Sequence, residues 1–395
     1  MKNTKKIMII GAGVLQVPAI QKAKEMGLYV VALDMDPAAL GFRFADECVT
    51  VSTNDIEGAL EAARQIKPDG VMTLASDMPV RTVAAIGHEL GLAANSIETA
   101  LNATDKGKMR DALSRNNTPI PKYHIVHSFN EFMDACESFQ GNFIVKPADS
   151  SGSRGVVLVN RDMDLQDIYQ YSRSFSGSGS VLIEEYMEGS EVSVETITVD
   201  GKTEIVAITD KLTTGMPYFV EMGHSIPSTL STASCDAIAV AARSAVNAVG
   251  IKLGPAHTEI ILTKNGPKIV EIGARLGGDN ITTHLVPLAT GIDMVECCIK
   301  IALGEKIKLP VKKSGGAAIR YFPSKPGRLH SICLPDRELN PNIQEIVFTK
   351  KIGDIVNPVK SSNDRIGYVI ANGETPSQAI LNCENAIHST NISIL

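Results

Sequence analysis

The first hundred residues alternate short apolar runs with helical patterns, and this alternation constrains the fold more than any other feature. Ile7–Ile10 reads as a buried strand ending at Gly11-Ala12-Gly13, and Val17–Met26 as the helix that follows. Leu28–Leu33 is a second strand with Asp34 at its carboxyl end. Cys48–Val51 then leads into a helix over Asp55–Ile66, and Gly70–Leu74 into a helix over Met78–Leu90. Parallel neighbours need a crossover of helical length, so this order predicts a parallel sheet covered on both faces.

After about Asn95 the rhythm changes. A helix is expected over Asp105–Arg115, and strands near Phe143–Lys146 and Gly155–Val159. Val181–Glu185, Glu191–Val199 and Thr203–Asp210 follow without long helices between them, which is antiparallel α+β character. Ser231–Val249 is a long Ala-rich helix, His257–Leu262 and Lys268–Ile272 are strands, and Gly291–Leu303 is a further helix. Ala317–Tyr321 and Arg365–Ala371 read as strands near the end, closed by a helix over Pro376–Ile387. Three regions are expected: an α/β start over 1–104, a large middle over 105–308, and a small α+β end over 309–395.

Composition narrows the partners. A formal charge of −6 and the absence of Trp argue against a nucleic-acid surface, which needs a basic face or stacking aromatics. No apolar stretch approaches a membrane span, and the four residues Ile7–Ile10 are too few for a signal-peptide core. The seven cysteines are scattered without a CxxC, which suits reduced thiols. A cytoplasmic protein is the expectation, with a homodimer as the prior for its assembly.

Gly11-Ala12-Gly13 with Asp34 suggests a dinucleotide fingerprint, but Gln16 stands where the third glycine would let the helix approach a pyrophosphate. The plainer reading is a tight strand–helix turn. A GxxxxGK[ST] loop is absent.

Glu259 and Glu271 each lie in an apolar, β-branched strand, and Asn265-Gly266 between them predicts an antiparallel hairpin. Buried acids are costly unless paired or bound to metal, and two on adjacent strands repel. A Mg²⁺ ion shared with nucleotide phosphates relieves both penalties. The alternative is a pair of outward, solvated glutamates. Arg275 follows in Gly273-Ala274-Arg275-Leu276-Gly277-Gly278-Asp279, where it would hold a carboxylate or a developing negative charge. Lys146 ends a buried-looking strand before the Ser/Gly-rich turn Ser150-Ser151-Gly152-Ser153-Arg154-Gly155, whose amides can fold over phosphate. Val181–Glu185 runs into Tyr186-Met187, which looks like a strand ending in a hinge.

Taken in order, these motifs resemble the ATP-grasp superfamily across nearly the whole chain. The resemblance implies a Rossmann-like domain over 1–104, an ATP-grasp domain over 105–308 with a lid at about 120–187, and an α+β C-terminal domain over 309–395. It implies that Lys106 and Lys146 contact ATP phosphates, and that Ser150, Ser151, Gly152, Ser153 and Gly155 form the phosphate lid. Glu184, Glu185, Tyr186 and Met187 would meet adenine, and Glu191 the ribose. Glu259 and Glu271 would hold Mg²⁺, with Mn²⁺ as a substitute. Many family members carry Asn two positions after the second Glu, whereas this chain has Gly273. The Glu-Ile-Gly-Ala-Arg form is most similar to the L-amino-acid ligase branch. There Glu221 would pair with an amino group, His224 would sit near the reacting phosphate or carboxylate, and Arg275 would act on substrate. Arg320 is a further candidate. The implied activity is ATP-dependent carboxylate–amine ligation on small molecules through an acyl phosphate. A purine-pathway or bicarbonate-using ATP-grasp enzyme is the alternative.

Overall fold

Alternate residues of the first strand serve two different cores, as a doubly covered parallel sheet requires. In β1 (Lys6–Ile10), Ile7 and Ile9 join one apolar cluster while Met8 and Ile10 join another. The computed structural model describes residues 4–149, 155–160, 162–216, 218–335 and 341–395. Helix α1 (Val17–Glu25) connects β1 to β2 (Tyr29–Asp34), which pairs with β3 (Glu47–Thr50). Helix α2 (Ile56–Ile66) precedes β4 (Gly70–Met72), and α3 (Pro79–Leu90) and α4 (Ile97–Asn102) follow it. The sheet is parallel throughout, in the order β3-β2-β1-β4.

The glycine turn after β1 closes on itself. Gln16 donates to the Leu74 carbonyl at 2.6 Å and packs against Gly11, where a Cβ would meet its side chain at 3.1 Å. Asp34 accepts from the Ala12 amide at 2.8 Å. Both fingerprint-like residues are therefore engaged in holding the turn.

Helix α5 (Lys106–Arg115) begins at Asp105, whose carboxylate accepts from the Lys108 amide as an N-cap. The next unit contains β5 (Tyr123–Val126), α6 (Phe129–Glu137), β6 (Phe143–Pro147), β7 (Val157–Val159), α7 (Leu165–Ser174) and β8 (Val181–Glu185). Its sheet has the order β5-β8-β6-β7, with its own core around Phe132, Val145, Tyr169 and Ile183.

The rest of the chain is built on one long sheet. Strands β9 (Ser190–Val199), β10 (Lys202–Thr213) and β11 (Glu221–Ile226) precede helix α8 (Thr232–Val249). The hairpin β12 (Gly254–Thr263) and β13 (Gly266–Gly273) comes next, then α9 (Val286–Thr290) and α10 (Met294–Ala302). Last come β14 (Gly316–Tyr321), β15 (Gly327–Cys333), β16 (Ile343–Phe348), β17 (Ile355–Val356), β18 (Gly367–Gly373), α11 (Pro376–Ser389) and β19 (Asn391–Ile394). The eight-stranded sheet runs β13-β12-β9-β10-β11-β14-β18-β16, continuous across residue 309 through the β11–β14 pairing. Strands β17, β15 and β19 form a small separate sheet. The whole is the expected α/β and α+β multidomain combination.

Among the boundaries that differ from the sequence reading, two have a plain local cause. Thr263 pairs with Gly266, so the hairpin loop is Lys264-Asn265, one residue earlier than expected, and Gly266 takes a positive φ of 103°. Helix α10 starts at Met294 because Asp293 caps it by accepting from the Glu296 amide.

Candidate active site

The hairpin places its two acids by means of an irregularity. Ile260 pairs with Ile269, but Glu259 pairs with Glu271, leaving Val270 as the extra residue of a β-bulge. Residues directly opposite on antiparallel strands share a face, so the bulge brings both carboxylates to the same side of the sheet. Glu271 meets the Lys106 ammonium at 2.8 Å. Arg110, one helical turn beyond Lys106 on α5, donates to the Val270 carbonyl at 2.7 Å. Its Nε is bonded to Glu184, which also takes Lys146 at 2.6 Å. Lys106, Lys146 and Glu184 are thus brought together, with Arg110 as a member that sequence reasoning missed. Its signal was the i, i+4 spacing from Lys106, which puts both on one helix face.

Burial alone would push the Glu184 carboxyl up; the charges of Arg110 and Lys146 reverse this and hold it down at about 2. Burial lowers the Lys146 ammonium, and the neighbouring cations add to that against the pull of Glu184. Glu184 therefore faces two cations with its side chain and is nearly inaccessible. Its carboxylate is thereby engaged with Lys146 and Arg110.

A second cluster centres on a residue not anticipated. The buried Lys211 ammonium on β10 lies 2.6 Å from Glu191, 3.2 Å from Glu259 and 3.6 Å from Glu221. The signal was available: a lysine on the same strand as the apolar run Ile205-Val206-Ala207-Ile208 raises the same burial problem as the two glutamates. Burial raises the Glu191 carboxyl, and the Glu259 charge adds to it against Lys211. Glu259 goes the other way: burial is outweighed by Lys211 and His257, and its carboxyl is held well below the usual range. His257 lies 3.5 Å from Glu259 and 2.6 Å from the fully buried Glu195. Burial would lower the His257 imidazole, but Glu195 raises it to about 9. Gly277 makes room for this pair, since a Cβ there would lie 2.7 Å from His257 Nδ1.

Arg275 is half-buried and its Nε donates to Asp77 of the first region at 2.6 Å. Asp77 follows β4 and had no motif to mark it. A Cβ at Gly273 would meet Asp77 Oδ1 at 3.1 Å and the Arg275 side chain at 3.3 Å. The space vacated by the family's Asn is filled by this ion pair. His224 on β11 lies 3.3 Å from Asp279, and Arg320 donates to the His224 carbonyl at 3.1 Å, which makes Arg320 a backbone bracket.

Glu185 pairs with Lys268 at 2.8 Å and accepts from the Lys122 amide, which ties the hinge to the hairpin. Tyr186 packs against Phe219 of the β10–β11 loop, ring centroids 6.5 Å apart, and Met187 follows half-buried. Ser150, Ser151, Gly152 and Ser153 lie outside the described residues. Gly155 is described, at a φ of 74° and packed so closely that a Cβ would lie 2.8 Å from Pro147.

Among the described residues no group of three or more His, Cys, Asp or Glu side chains is arranged to hold a metal by itself. The donor set of Glu259 and Glu271 nonetheless fits a divalent cation that takes its remaining oxygens from phosphate and water. The two glutamates are paired in register, and each carboxylate is already compensated by a lysine. No helix among the described residues is long and apolar enough to cross a membrane.

Two family models match parts of the chain. Residues 139–283 match the ATP-grasp domain, and residues 320–394 match the L-amino acid ligase C-terminal domain 2. Alanine–anticapsin ligase of Bacillus subtilis is 28% identical over 279 residues, covering 65% of this chain but only 58% of that protein. Phosphoribosylamine–glycine ligase of Methanococcus maripaludis is 25% identical across 97% of this chain and 93% of its own. The crystal structure of an L-amino acid ligase from Bacillus licheniformis superposes with a TM-score of 0.83 over 100% of both chains at 21% identity, a likeness of fold. The middle of the chain is therefore an ATP-grasp domain. The findings support an ATP-grasp ligase, an enzyme that forms carbon–nitrogen bonds, and the chain carries an L-amino-acid-ligase type of C-terminal domain.

Proposed function

We propose that the protein joins a carboxylate to an amine through an acyl phosphate, with an amino acid as one substrate. The observation that carries this reading is the Lys211 cluster. It gathers Glu191, Glu221 and Glu259 around one ammonium, so the carboxylates assigned to ribose, amino group and metal border a single small volume.

In the first step a carboxylate oxygen attacks the γ-phosphorus of ATP, the bond to the β-phosphate bridging oxygen breaks, and ADP leaves. In the second the amine nitrogen attacks the acyl carbon, phosphate departs, and the nitrogen loses a proton to form an amide or peptide bond. Lys106 and Lys146 neutralise phosphate charge, Lys146 being fixed by Glu184. Mg²⁺, or Mn²⁺ in its place, supplies further neutralisation when bound, and Glu259 and Glu271 are the residues that would hold it. The backbone from Glu185 to Met187 borders adenine, and Glu191 the ribose. Glu221 accepts the substrate's amino group. His224 and the Asp77-anchored Arg275 stand at the reacting carboxylate, where a fixed guanidinium stabilises oxyanion charge. Catalysis on this reading is positioning and charge neutralisation, and it calls for no covalent nucleophile.

The test is phosphate release from ATP across a panel of amino acids, with mass detection of the product. Glu271→Gln is expected to lower the amine-dependent rate by about a hundredfold or more while circular dichroism stays unchanged; turnover at the wild-type rate overturns the metal assignment. A second reading is glycine ligation to a phosphoribosylamine, favoured by the near-complete span of the Methanococcus alignment. Turnover with that amine alone would select it.

A further inference from the structure

Resting on the placement of His224 at the substrate, we propose that Asp279 is the residue that positions His224 for the reaction and that Arg365, from the C-terminal segment, locks Asp279 in place. His224 is almost fully buried, and its Nε2 lies 3.3 Å from Asp279 Oδ2. A carboxylate only accepts, so Nε2 carries a proton, and in the neutral ring Nδ1 is then an acceptor. That Nδ1 is buried and has no hydrogen-bond partner among the described residues. A buried acceptor without a partner is uncommon in a folded protein, and a donor on a bound substrate, such as an ammonium, would satisfy it.

Asp279 is itself constrained from the other side. Arg365 donates to both of its oxygens, NH1 at 2.8 Å and NH2 at 2.9 Å. Asp279 and Asn280 both take left-handed backbone angles, with φ of 49° and 61°. Non-glycine residues keep such angles only where the surroundings over-determine them, and such sites concentrate near function. Arg365 has three more partners, the first being the Ser362 carbonyl, to which its Nε donates at 3.1 Å. It donates to the Glu221 carbonyl at 3.1 Å and lies over the Tyr321 ring, 3.8 Å from its centroid. One guanidinium thus holds the backbone of Glu221 directly and the side chain of His224 through Asp279. The planar fork of an arginine suits this set of partners, whereas a lysine ammonium cannot span both carboxylate oxygens while lying flat on a ring. The C-terminal segment thereby sets the geometry of both substrate-facing residues on β11.

The test uses the full chain as Asp279→Asn, Arg365→Lys, His224→Gln and the Asp279→Asn/His224→Gln double variant. Asp279→Asn is expected to lower kcat about tenfold or more with KM for ATP within about twofold of wild type. The double variant is expected to be no slower than His224→Gln alone within about twofold, because Asp279 acts through the ring that is already gone. Arg365→Lys should fall between wild type and Asp279→Asn. Additive losses, or wild-type kcat in Asp279→Asn, overturn the proposal. Imidazole ¹⁵N spectra give a readout that needs no turnover. Wild type should show one neutral tautomer, with the proton on Nε2, and both Asp279→Asn and Arg365→Lys should show mixed tautomers. Unchanged spectra in both variants overturn the positioning role even if the chain ligates none of the amines tried.

Discussion

Glu184 shows how a single residue can tie the parts of a site together. Its carboxylate joins the ammonium of Lys146 to the guanidinium of Arg110, and Arg110 in turn binds the bulge that sets Glu271. Because Arg110 and Lys146 overcome the cost of burial and hold this carboxyl at about 2, against an ordinary 4.5, its contribution to stability has a definite sign. The contribution is complete above about 4.5 and is lost as pH falls toward 2, since the unfolded chain takes up a proton that the folded one refuses. Wild type should therefore be more stable than Glu184→Gln at pH 5 and above. The gap should narrow steadily below that in urea titrations at stepped pH, and a gap that widens on acidification would contradict the assignment. Residues of this supporting kind were the least legible in the sequence. Glu259, Glu271 and Arg275 stood out because charged groups in apolar strands and beside glycines demand a reason. Asp77, Asp279 and Arg365 sit in loops where acids and arginines are ordinary, and only the folded arrangement gives them partners.

Whole elements were easier to read than their contacts. The strands and helices of the first hundred residues, the α8 helix and the β12–β13 hairpin follow from periodicity and caps, which are local properties. The bulge at Val270 does not, because it depends on pairing between strands and on an arginine supplied by α5. Gly273 illustrates the same limit. From sequence it marks a missing metal ligand; in the fold it is the gap through which Asp77 reaches Arg275. Gly273→Asn, which restores the family's usual residue, should therefore lower kcat/KM, by about a hundredfold if it moves Arg275 by an ångström. Steady-state kinetics against amine and acid would check this, and a gain in activity would show that the metal shell, not the ion pair, is what the glycine leaves incomplete.

At the scale of the molecule, one apolar core draws on every region, with Ile7 and Ile9 from the first sheet, Leu276 and Ile292 from the middle and Ile319 and Ile370 from the end. The β5-β8-β6-β7 unit stands apart with a core of its own. Its amides should exchange with solvent through a partial opening, faster than those of β9 and β12, which lie inside the long sheet. Hydrogen-exchange mass spectrometry would read this directly, and uniform protection across both regions would show that the unit opens only with the rest. The long sheet also limits how the chain can be divided. Strand β11 is interior only because β14 covers its far side, from Gly223 against Arg320 to Ile226 against Ala317. Cutting the chain near residue 309 would strip that side and leave a row of unpaired amides and carbonyls open to other strands. A shortened version would thus gain an adhesive edge, and its natural fate is to stick to its own copies.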